Sequence, residues 1–427
     1  MTRYLYSLVL IIISPILIIR LYIRGFIAPS YRLRVKERFG SYNFKDRYDK
    51  EKTTIWIHAV SVGEVAAAEP LVKKLRELYP EYQLFITTMT PTGSERVFSS
   101  FPQEIFHCYL PYDFPIIMYR FVNQMSPAVV IIMETELWPN LINACDKLNV
   151  KLVLANARLS DKSAKGYSCI SQLTRGMLSK LDIVAAQSKT DAQRLINLGA
   201  SPKSTIVAGS LKFNVSQEVT AGLNIPLFTQ IKQSERTVVV AASTRKGEEE
   251  KLLKTIKSLL SIVPTLLFII VPRHPERFDE VFGLFEREGF KCLRRSTATG
   301  FDADTEILIG DSMGELNYYY RVSQIAFVGG SLVDTGCQNV LEPAALSLPI
   351  LTGPSQYNFS LICENLEKKG GLITVKDEIS LEAELLRLIK DKRLRSNMGA
   401  IALAEINANQ GALPKLLKII EGLLNGN

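Results

Sequence analysis

The chain contains very little histidine and no closely spaced cysteine pair. Its 427 residues include only 3 His, namely His58, His107 and His274, and none of its 6 Cys lies within four positions of another. The missing CxxC spacing excludes zinc-ribbon and thioredoxin-type motifs. The scarcity of His argues against a His-rich metal site. Because disulfide frameworks belong to short secreted chains, we expect reduced thiols in a cytosolic compartment.

Long uncharged runs are also scarce, which excludes a polytopic membrane protein. The one such run, Tyr4–Ile19, extends over 16 residues and continues past Arg20. A membrane-spanning helix needs about 20 apolar residues, so this run is of marginal length. We expect residues 1–30 to form an N-terminal membrane anchor, either spanning the bilayer or embedded in one leaflet. A cleaved signal peptide is the alternative, but no small-x-small cleavage site follows the run.

The segment after the anchor is strongly basic. It contains Arg20, Arg24, Arg32, Arg34, Lys36 and Arg38 against Glu37 alone. The positive-inside rule places this side of the anchor in the cytoplasm, which predicts an inner-membrane protein with its remaining domains on the cytoplasmic side. The basic residues can bind anionic phospholipid headgroups, or they form a solvated basic linker.

The overall composition is that of a globular protein with a basic excess. Apolar residues make up 47%, charged residues 22%, and the net charge is +8. Such an excess indicates anionic partners, for example phosphates, lipids or nucleic acid. We expect no nucleic acid, because basic and aromatic residues do not alternate as they do in nucleic-acid-binding motifs.

Short apolar runs alternate with longer amphipathic segments from residue 54 onward. This alternation predicts α/β architecture with doubly wound parallel sheets. The segment 216–235 has weak periodicity and is interpreted as an interdomain linker, after which the pattern restarts at residue 237. We therefore predict two Rossmann-like domains, 31–220 and 221–427, that face a cleft and bind ligands at the carboxyl ends of their strands. Predicted strand runs are 55–60, 84–88, 129–133, 151–156, 183–187, 206–209, 237–243, 265–271, 306–310, 325–330 and 349–351.

Nucleotide-binding and metal-binding signatures of the common kinds are missing. No GxGxxG follows the first strand and no GxxxxGK[ST] occurs, so neither a nicotinamide cofactor nor a P-loop is supported. Asp302 and Asp304 form a DxD sequence, but it precedes a strand instead of following one. We therefore predict neither a cofactor nor a bound metal.

Polar side chains follow the predicted strands of the first half. Glu64 lies in the first turn of a predicted helix, where it can accept a proton from a substrate hydroxyl or merely stabilise the helix N-terminus. Pro139 begins a helix after a second strand, so the acidic residues there are either functional or part of a helix start. The candidate acceptor-binding or supporting residues are Ser61, Gly63, Glu134, Glu136, Asn156, Arg158 and Lys162.

The second half has a corresponding set of strand-end residues. Arg273 ends a strand just before a helix, which is a favourable place for a phosphate. The glycines at 329–330 allow a ligand close approach to backbone N–H groups, and Glu342 can bind a ribose diol. The candidate donor-binding residues are Ser243, Thr244, Arg273, His274, Met313, Gly314, Glu315, Gly330, Asn339 and Glu342.

These motifs, in this order, resemble those of the 3-deoxy-D-manno-octulosonic acid (Kdo) transferases of lipopolysaccharide assembly. The resemblance extends from the anchor to about residue 410. The matching stretches are HAVSVGEV at 58–65, TTMTPTGSERV at 87–97, YLPYDFP at 109–115, IIMETELWPNLI at 131–142, LANARLSDKSAKGY at 154–167, GSLKFN at 209–214, VPRHPERF at 271–278, GDSMGEL at 310–316, FVGGSLV at 327–333, NVLEPAAL at 339–346 and GPSQYNF at 353–359.

The resemblance implies a GT-B fold and an inverting glycosyltransferase. Members of the family transfer Kdo from CMP-Kdo to a lipid A precursor, lipid IVA, at the inner face of the cytoplasmic membrane. Glu64 matches the catalytic base proposed for the family. The motifs that hold the CMP portion contain Arg273, Met313, Glu315, Asn339 and Glu342.

Two positions depart from the pattern of the family. Gln338 and Arg245 stand where the family usually has His. If either His shapes the donor site of the family, Gln338 or Arg245 must substitute for it here. Two other functions remain open from the residues: another GT-B transferase that uses a UDP-sugar, or a non-enzymatic basic membrane-binding module.

Overall fold

The chain divides into two compact units. The computed structural model describes residues 2–42, 48–49, 51–101, 105–214 and 225–426. One unit comprises Met1–Asn214 together with Asn409–Asn427, and the other comprises Val215–Ala408. The predicted boundary at 220/221 lies outside the described residues.

The first unit alternates strands and helices after an N-terminal helix. Short 3-10 helices occur at Pro29–Arg32, Val35–Phe39 and Leu211–Phe213. The regular elements are α1 (Arg3–Ile27), β1 (Thr54–His58), α2 (Val62–Leu78), β2 (Gln83–Thr88), α3 (Pro91–Ser100), β3 (Phe106–Tyr109), α4 (Pro115–Met125), β4 (Val129–Met133), α5 (Pro139–Lys147), β5 (Lys151–Ala157), α6 (Asp161–Cys169), α7 (Ser171–Leu178), β6 (Ile183–Ala186), α8 (Lys189–Leu198) and β7 (Thr205–Val207).

The strands of this unit form a parallel sheet whose chain order reverses in the middle. Among the described residues the sheet has 7 strands in the order β3-β2-β1-β4-β5-β6-β7. Trp56 of β1 pairs with Phe85 on one side and with Val130 on the other. β1 and β4 are therefore neighbours at the switch point, where ligands bind in open α/β sheets.

The second unit repeats this design. A 3-10 helix occurs at Pro275–Arg277. The regular elements are α9 (Pro226–Gln233), β8 (Val238–Thr244), α10 (Glu248–Ile262), β9 (Leu267–Pro272), α11 (Phe278–Arg287), β10 (Cys292–Arg294), β11 (Ile307–Ile309), α12 (Leu316–Val322), β12 (Ile325–Val328), α13 (Leu341–Ala345), β13 (Ile350–Thr352), α14 (Ser360–Lys369), β14 (Leu372–Thr374), α15 (Glu378–Lys390) and α16 (Lys392–Asn409). A last helix of the chain is α17 (Ala412–Leu424).

The second sheet is also parallel and also reverses at its centre. Its described strands number 7, in the order β10-β11-β9-β8-β12-β13-β14. The switch point lies between β8 and β12. Every residue of the central strands β4 and β8 is buried, because helices cover both faces of a parallel sheet. This burial explains the continuous apolar runs, and the predicted α/β class is confirmed.

Three short strands and the helix α9 were not predicted from the sequence. The strands β3, β10 and β14, which have 3 or 4 residues each, were not predicted. The described part of the predicted linker, from 225 on, is largely helical, so that part of the interpretation is wrong. The reason is tertiary packing, because Leu227, Phe228 and Ile231 of α9 are buried in the core of the second unit. The rest of the linker lies outside the described residues.

The C-terminal helix returns to the first unit. Ala412, Leu416 and Ile420 of α17 pack in the same core as Val65 and Leu71 of α2. The sequence pattern assigns α17 to the second domain, because nothing in a linear sequence shows that a chain returns to its first unit.

Two residues of the basic segment are structural. Arg34 donates hydrogen bonds to Glu37 at 2.6 Å and Ser94 at 3.0 Å. Arg38 is only 3% exposed and lies over the ring of Tyr109 at 4.3 Å. Their expected role in holding lipid headgroups is therefore not supported, since partners in the folded unit occupy both side chains. Among the described residues, one helix, Arg3–Phe26, is long and apolar enough to cross a membrane.

The packing of α17 predicts which unit a core substitution destabilises. Leu416 is 1% exposed, so Leu416→Ala should lower the free energy of unfolding of the first unit by about 2–5 kcal/mol. Both tryptophans of the chain, Trp56 and Trp138, lie in that unit. Tryptophan fluorescence during denaturant unfolding of the detergent-solubilised protein therefore reports on it selectively.

Leu388→Ala is the matched control, because Leu388 is equally buried in the second unit. It should leave the tryptophan transition in place. An unchanged transition in Leu416→Ala would contradict the assignment of α17 to the first unit.

Candidate active site

Glu64 lies at the carboxyl end of β1, in the first turn of α2. Ser61 caps this helix. Its hydroxyl donates to Oε1 of Glu64 at 2.9 Å, and the backbone N–H of Val60 donates to Oε2 at 2.8 Å. The carboxylate therefore does stabilise the helix start, as one interpretation of the sequence predicted. Because each carboxylate oxygen accepts more than one hydrogen bond, it keeps acceptor capacity for a substrate hydroxyl.

The environment of Glu64 weakens its acidity. The residue is 8% exposed. Burial raises the pKa of Glu64 to about 7, and the negative charge of Glu136 adds to this shift. The hydrogen bonds from Val60 and Ser61 act in the opposite direction. A carboxyl group with a pKa near neutrality can accept and release a proton at physiological pH.

Two further carboxylates follow β4, the neighbour of β1. Burial raises the pKa of Glu136, which accepts a hydrogen bond from Nε1 of Trp138 at 3.1 Å. Glu134 has a left-handed backbone with φ of 53°. Its Oε1 lies 3.9 Å from Nζ of Lys212. The sheet thus brings Glu64, Glu134 and Glu136 to one edge.

The other predicted site residues of the first unit differ in burial and in their contacts. Asn156 is buried and left-handed, with φ of 54°. Its Oδ1 accepts from the N–H of Leu211 at 3.0 Å, which holds the turn that carries Lys212. Arg158 is half-buried and Lys162 is exposed. Gly63 is the second residue of α2.

Lys212, in the stretch GSLKFN, was not among the predicted site residues. The sequence feature that could have indicated it is its position, since a Lys shortly after a predicted strand can lie at the ligand-binding edge of the sheet. It was missed because the partner, Glu134, is distant in the chain.

In the second unit, the last two residues of β8, Ser243 and Thr244, show the same combination of backbone strain and hydrogen bonding. Ser243 has φ of 58°. The hydroxyl of Thr244 is buried and donates to Oε1 of Glu249 at 2.7 Å. Non-glycine residues in this backbone region cost about 1–3 kcal/mol and cluster at functional sites. Ser243, Glu134 and Asn156 all occur at the carboxyl ends of strands.

The glycine loop after β12 is already occupied by a side chain of the protein. Glu248 is fully buried, and its carboxylate accepts from the N–H groups of Gly330, Ser331 and Leu332 at 2.6, 3.0 and 2.9 Å. The expectation that a ligand approaches the backbone N–H groups of this loop is therefore wrong for these three groups, because Glu248 already accepts their hydrogen bonds. Gly330 instead serves backbone geometry, since its φ is 76° and a Cβ there would meet the carbonyl of Gly336 at 2.5 Å.

Arg245 follows β8 directly, and Arg273 and His274 follow β9. These three residues form a cluster that we call the cationic cluster. Arg273 is exposed, and a guanidinium nitrogen of Arg245 contacts Nε2 of His274. Burial lowers the pKa of His274, and the positive charge of Arg245 lowers it further. The charge of Arg273 likewise lowers the pKa of Arg245, although burial contributes more. Mutual repulsion of this kind favours an anion, so this cluster is a better phosphate site than the glycine loop.

Asn339 and Glu342 form a hydrogen-bonded pair at the start of α13. Nδ2 of Asn339 donates to Oε1 of Glu342 at 2.9 Å, and Oδ1 of Asn339 accepts from Leu341 at 3.0 Å. Burial raises the pKa of Glu342, while Asn339 and the charge of Arg273 lower it. The pair is thus close enough to Arg273 to interact electrostatically with the cationic cluster.

The loop after β11 presents the last predicted donor residues. Met313 is 61% exposed, and Gly314 has φ of 79°. Glu315 is not free, because Arg295 donates to its Oε1 at 2.8 Å. Since β11 is next to β9, this loop, Arg273 and Ser243 share one edge of the sheet. In the described residues, no group of three His, Cys, Asp or Glu side chains is arranged to hold a metal ion.

Comparisons with known proteins agree with this architecture. A family model described as 3-deoxy-D-manno-octulosonic-acid transferase (kdotransferase) matches residues 33–215. The chain is 39% identical over 428 residues to the 3-deoxy-D-manno-octulosonic acid transferase of Haemophilus influenzae, with 100% of both chains covered. It is 34% identical over 379 residues to the enzyme of the same name from Bordetella pertussis, covering 87% of each chain.

A solved structure supports the fold alone. The UDP-GlcNAc 2-epimerase of Neisseria meningitidis matches with a TM-score of 0.57 at 14% identity, covering 88% of this chain and 100% of that one. The two parallel seven-stranded sheets and this likeness identify the fold as GT-B. Because it is 39% identical to a named relative over the full length of both chains, the chain belongs to the 3-deoxy-D-manno-octulosonic acid transferase family of glycosyltransferases.

Proposed function

We propose that the protein transfers Kdo from CMP-Kdo to the lipid A precursor lipid IVA, with inversion, at the cytoplasmic face of the inner membrane. Family membership supports the transferred sugar. The observation that carries the mechanism is the Glu64 carboxylate, buried at the switch point of the first sheet with a pKa of about 7.

Glu64 acts as the general base in this proposal. A hydroxyl oxygen of the acceptor attacks the anomeric carbon of Kdo and loses its proton to Glu64. The bond between that carbon and the phosphate oxygen breaks, and its electron pair leaves with CMP. Attack from the side opposite CMP inverts the anomeric centre. Positioned proton transfer of this kind contributes about 10²–10⁴-fold to a rate.

The cationic cluster of the second unit stabilises the leaving group. Negative charge grows on the CMP phosphate as the bond breaks, and fixed cations at that point lower the barrier. Arg273 and Arg245 supply such cations without the N–H groups of the glycine loop. The free acceptor capacity of Glu342, which Asn339 orients, suits the hydroxyl groups of the ribose.

The acceptor is a phosphorylated glycolipid in this proposal. The exposed Lys162 and the half-buried Arg158 follow β5 in the first unit, and they suit its phosphate groups. The apolar α1 holds the same unit at the phospholipid membrane that contains the acceptor.

Mass spectrometry of the product tests the proposed reaction. Purified full-length protein incubated with lipid IVA, CMP-Kdo and EDTA should increase the acceptor mass by one or more Kdo residues. UDP-sugars should give no product. Transfer from a UDP-sugar, with none from CMP-Kdo, would favour the alternative GT-B activity.

Substitution of Glu64 tests the base. Glu64→Gln keeps the shape and removes the basicity, so turnover should fall about 10²–10⁴-fold. Glu81→Gln, on the exposed turn before β2, is the control and should turn over normally. CMP-Kdo affinity should be unchanged in both variants. Near-normal turnover of a folded Glu64→Gln protein would overturn the assignment.

The raised pKa of Glu64 predicts the pH dependence. The base is the carboxylate form, so kcat/KM should rise with pH through about 7 and level off above it. Glu136→Gln removes a negative charge that raises this pKa, so the rise should move to lower pH. Kinetic pH profiles measure both effects, with Glu81→Gln as the unshifted control. A profile without this rise would show that Glu64 does not limit the rate by its ionisation.

A further inference from the structure

The N-terminal helix α1 rests lengthwise on the first unit. Ser7 is 7% exposed and Leu21 is 6% exposed, although they lie about four turns apart. The less exposed residues along the helix recur every three or four positions, the spacing of one helix face. They include Ser7, Leu10, Ser14, Leu17, Leu21 and Gly25.

A buried polar cluster fixes the N-terminal end of α1. Nη1 of Arg3 donates to Oδ1 of Asn140 at 2.9 Å, and Asn140 donates from Nδ2 to Oγ of Ser7 at 3.0 Å. Tyr6 is hydrogen-bonded to Asp113. The fully buried carboxylate of Asp113 also accepts from the N–H groups of Asn140 and Leu141, both at 2.9 Å.

The C-terminal end of α1 packs on the short segment that follows it, and that segment is anchored in the first unit through Arg38, which donates to the carbonyl of Met89. Arg20 near this end is also close enough to Tyr112 of the unit to affect its pKa. A Cβ on Gly25 would come within 2.5 Å of Cγ of Arg32, so the helix and the following turn are in close contact. The guanidinium of Arg32 lies 4.1 Å from the ring centroid of Phe26. The next 3-10 helix carries Arg38, which is buried in the unit.

Contacts at both ends are incompatible with a spanning helix. The 25 residues of α1 give a length of about 37 Å, and a spanning helix must have its ends on opposite sides of a hydrocarbon core about 30 Å thick. One folded unit cannot hold both ends unless its own polar surface enters the lipid. An in-plane helix retains every contact described above.

The outer face of α1 is suited to lipid. It carries exposed apolar side chains along its whole length, including Leu5, Leu8, Ile12, Ile16, Ile19 and Ile23. Beside it, Ile116 and Tyr119 of α4 are 68% and 44% exposed. They line a cavity of about 470 Å³ together with Arg3, Arg120 and Lys147. Apolar and aromatic groups with basic neighbours are typical of surfaces that lie in the interface of an anionic leaflet.

We propose that α1 does not cross the membrane but lies parallel to it in a single leaflet, with its N-terminus on the same side as the first unit. That unit is then anchored along one whole face, and not by a flexible tether. This arrangement also keeps the α4 surface in contact with the lipid headgroups.

Labelling of cysteines in sealed membrane vesicles tests the side on which the N-terminus lies. The exposed native Cys169 reports the side of the first unit. The reporter for the N-terminus is a cysteine placed before Met1, in a chain that carries Cys169→Ser and Cys292→Ser. A membrane-impermeant maleimide should label both reporters in the same vesicle orientation. Labelling in opposite orientations would show that α1 spans the bilayer and would overturn the proposal.

Depth measurement supplies an independent readout that does not depend on activity. Leu5→Cys, Ile12→Cys and Ile19→Cys, each in the same chain without Cys169 and Cys292, place a bimane probe on one helix face. Quenching by lipids brominated at defined positions should give the same depth for all three probes. A spanning helix would place the probe at position 12 deeper than the other two by up to about 10 Å, the rise of seven residues, and that result would contradict the proposal.

Discussion

The burial of one carboxylate, Glu64, at the switch point of the first sheet is the constraint on which the proposed chemistry depends. Parallel strands leave a switch point between β1 and β4, and the helix start after β1 places Glu64 there. Burial and the neighbouring Glu136 raise its pKa, while Val60 and Ser61 fix its orientation. Glu134, whose charge also raises this pKa, and its neighbour Lys212 lie at the same edge of the sheet.

The second unit has the same sheet topology, but its exposed strand ends carry the cationic side chains of Arg245 and Arg273 where the first unit carries carboxylates. At its switch point, between β8 and β12, the buried carboxylate of Glu248 accepts hydrogen bonds from the backbone N–H groups of the glycine loop, among them those of Gly330 and Leu332. In the proposed function, the anion is bound by the exposed Arg273 and by Arg245, which contacts His274.

Much of the fold was predictable, because strands covered on both faces must be apolar throughout. Central strands such as β4 and β8 were predicted for that reason, and the candidate residues followed from their carboxyl ends. The partner of the glycine loop was not predictable, since Glu248 precedes Gly330 by 82 positions and no local pattern links them. Arg38 looked like a solvated charge until tertiary packing buried it, and α9 looked like a linker because its apolar face is only two turns long.

The central claim is that Glu64 is a base with a pKa near neutrality. The most direct test is a ¹³C NMR titration of its side-chain carboxyl in the full-length protein, with the signal assigned by its loss in Glu64→Gln. The account predicts a midpoint of about 7, moved to lower pH in Glu136→Gln. A midpoint near the ordinary glutamate value of about 4.3 would contradict it.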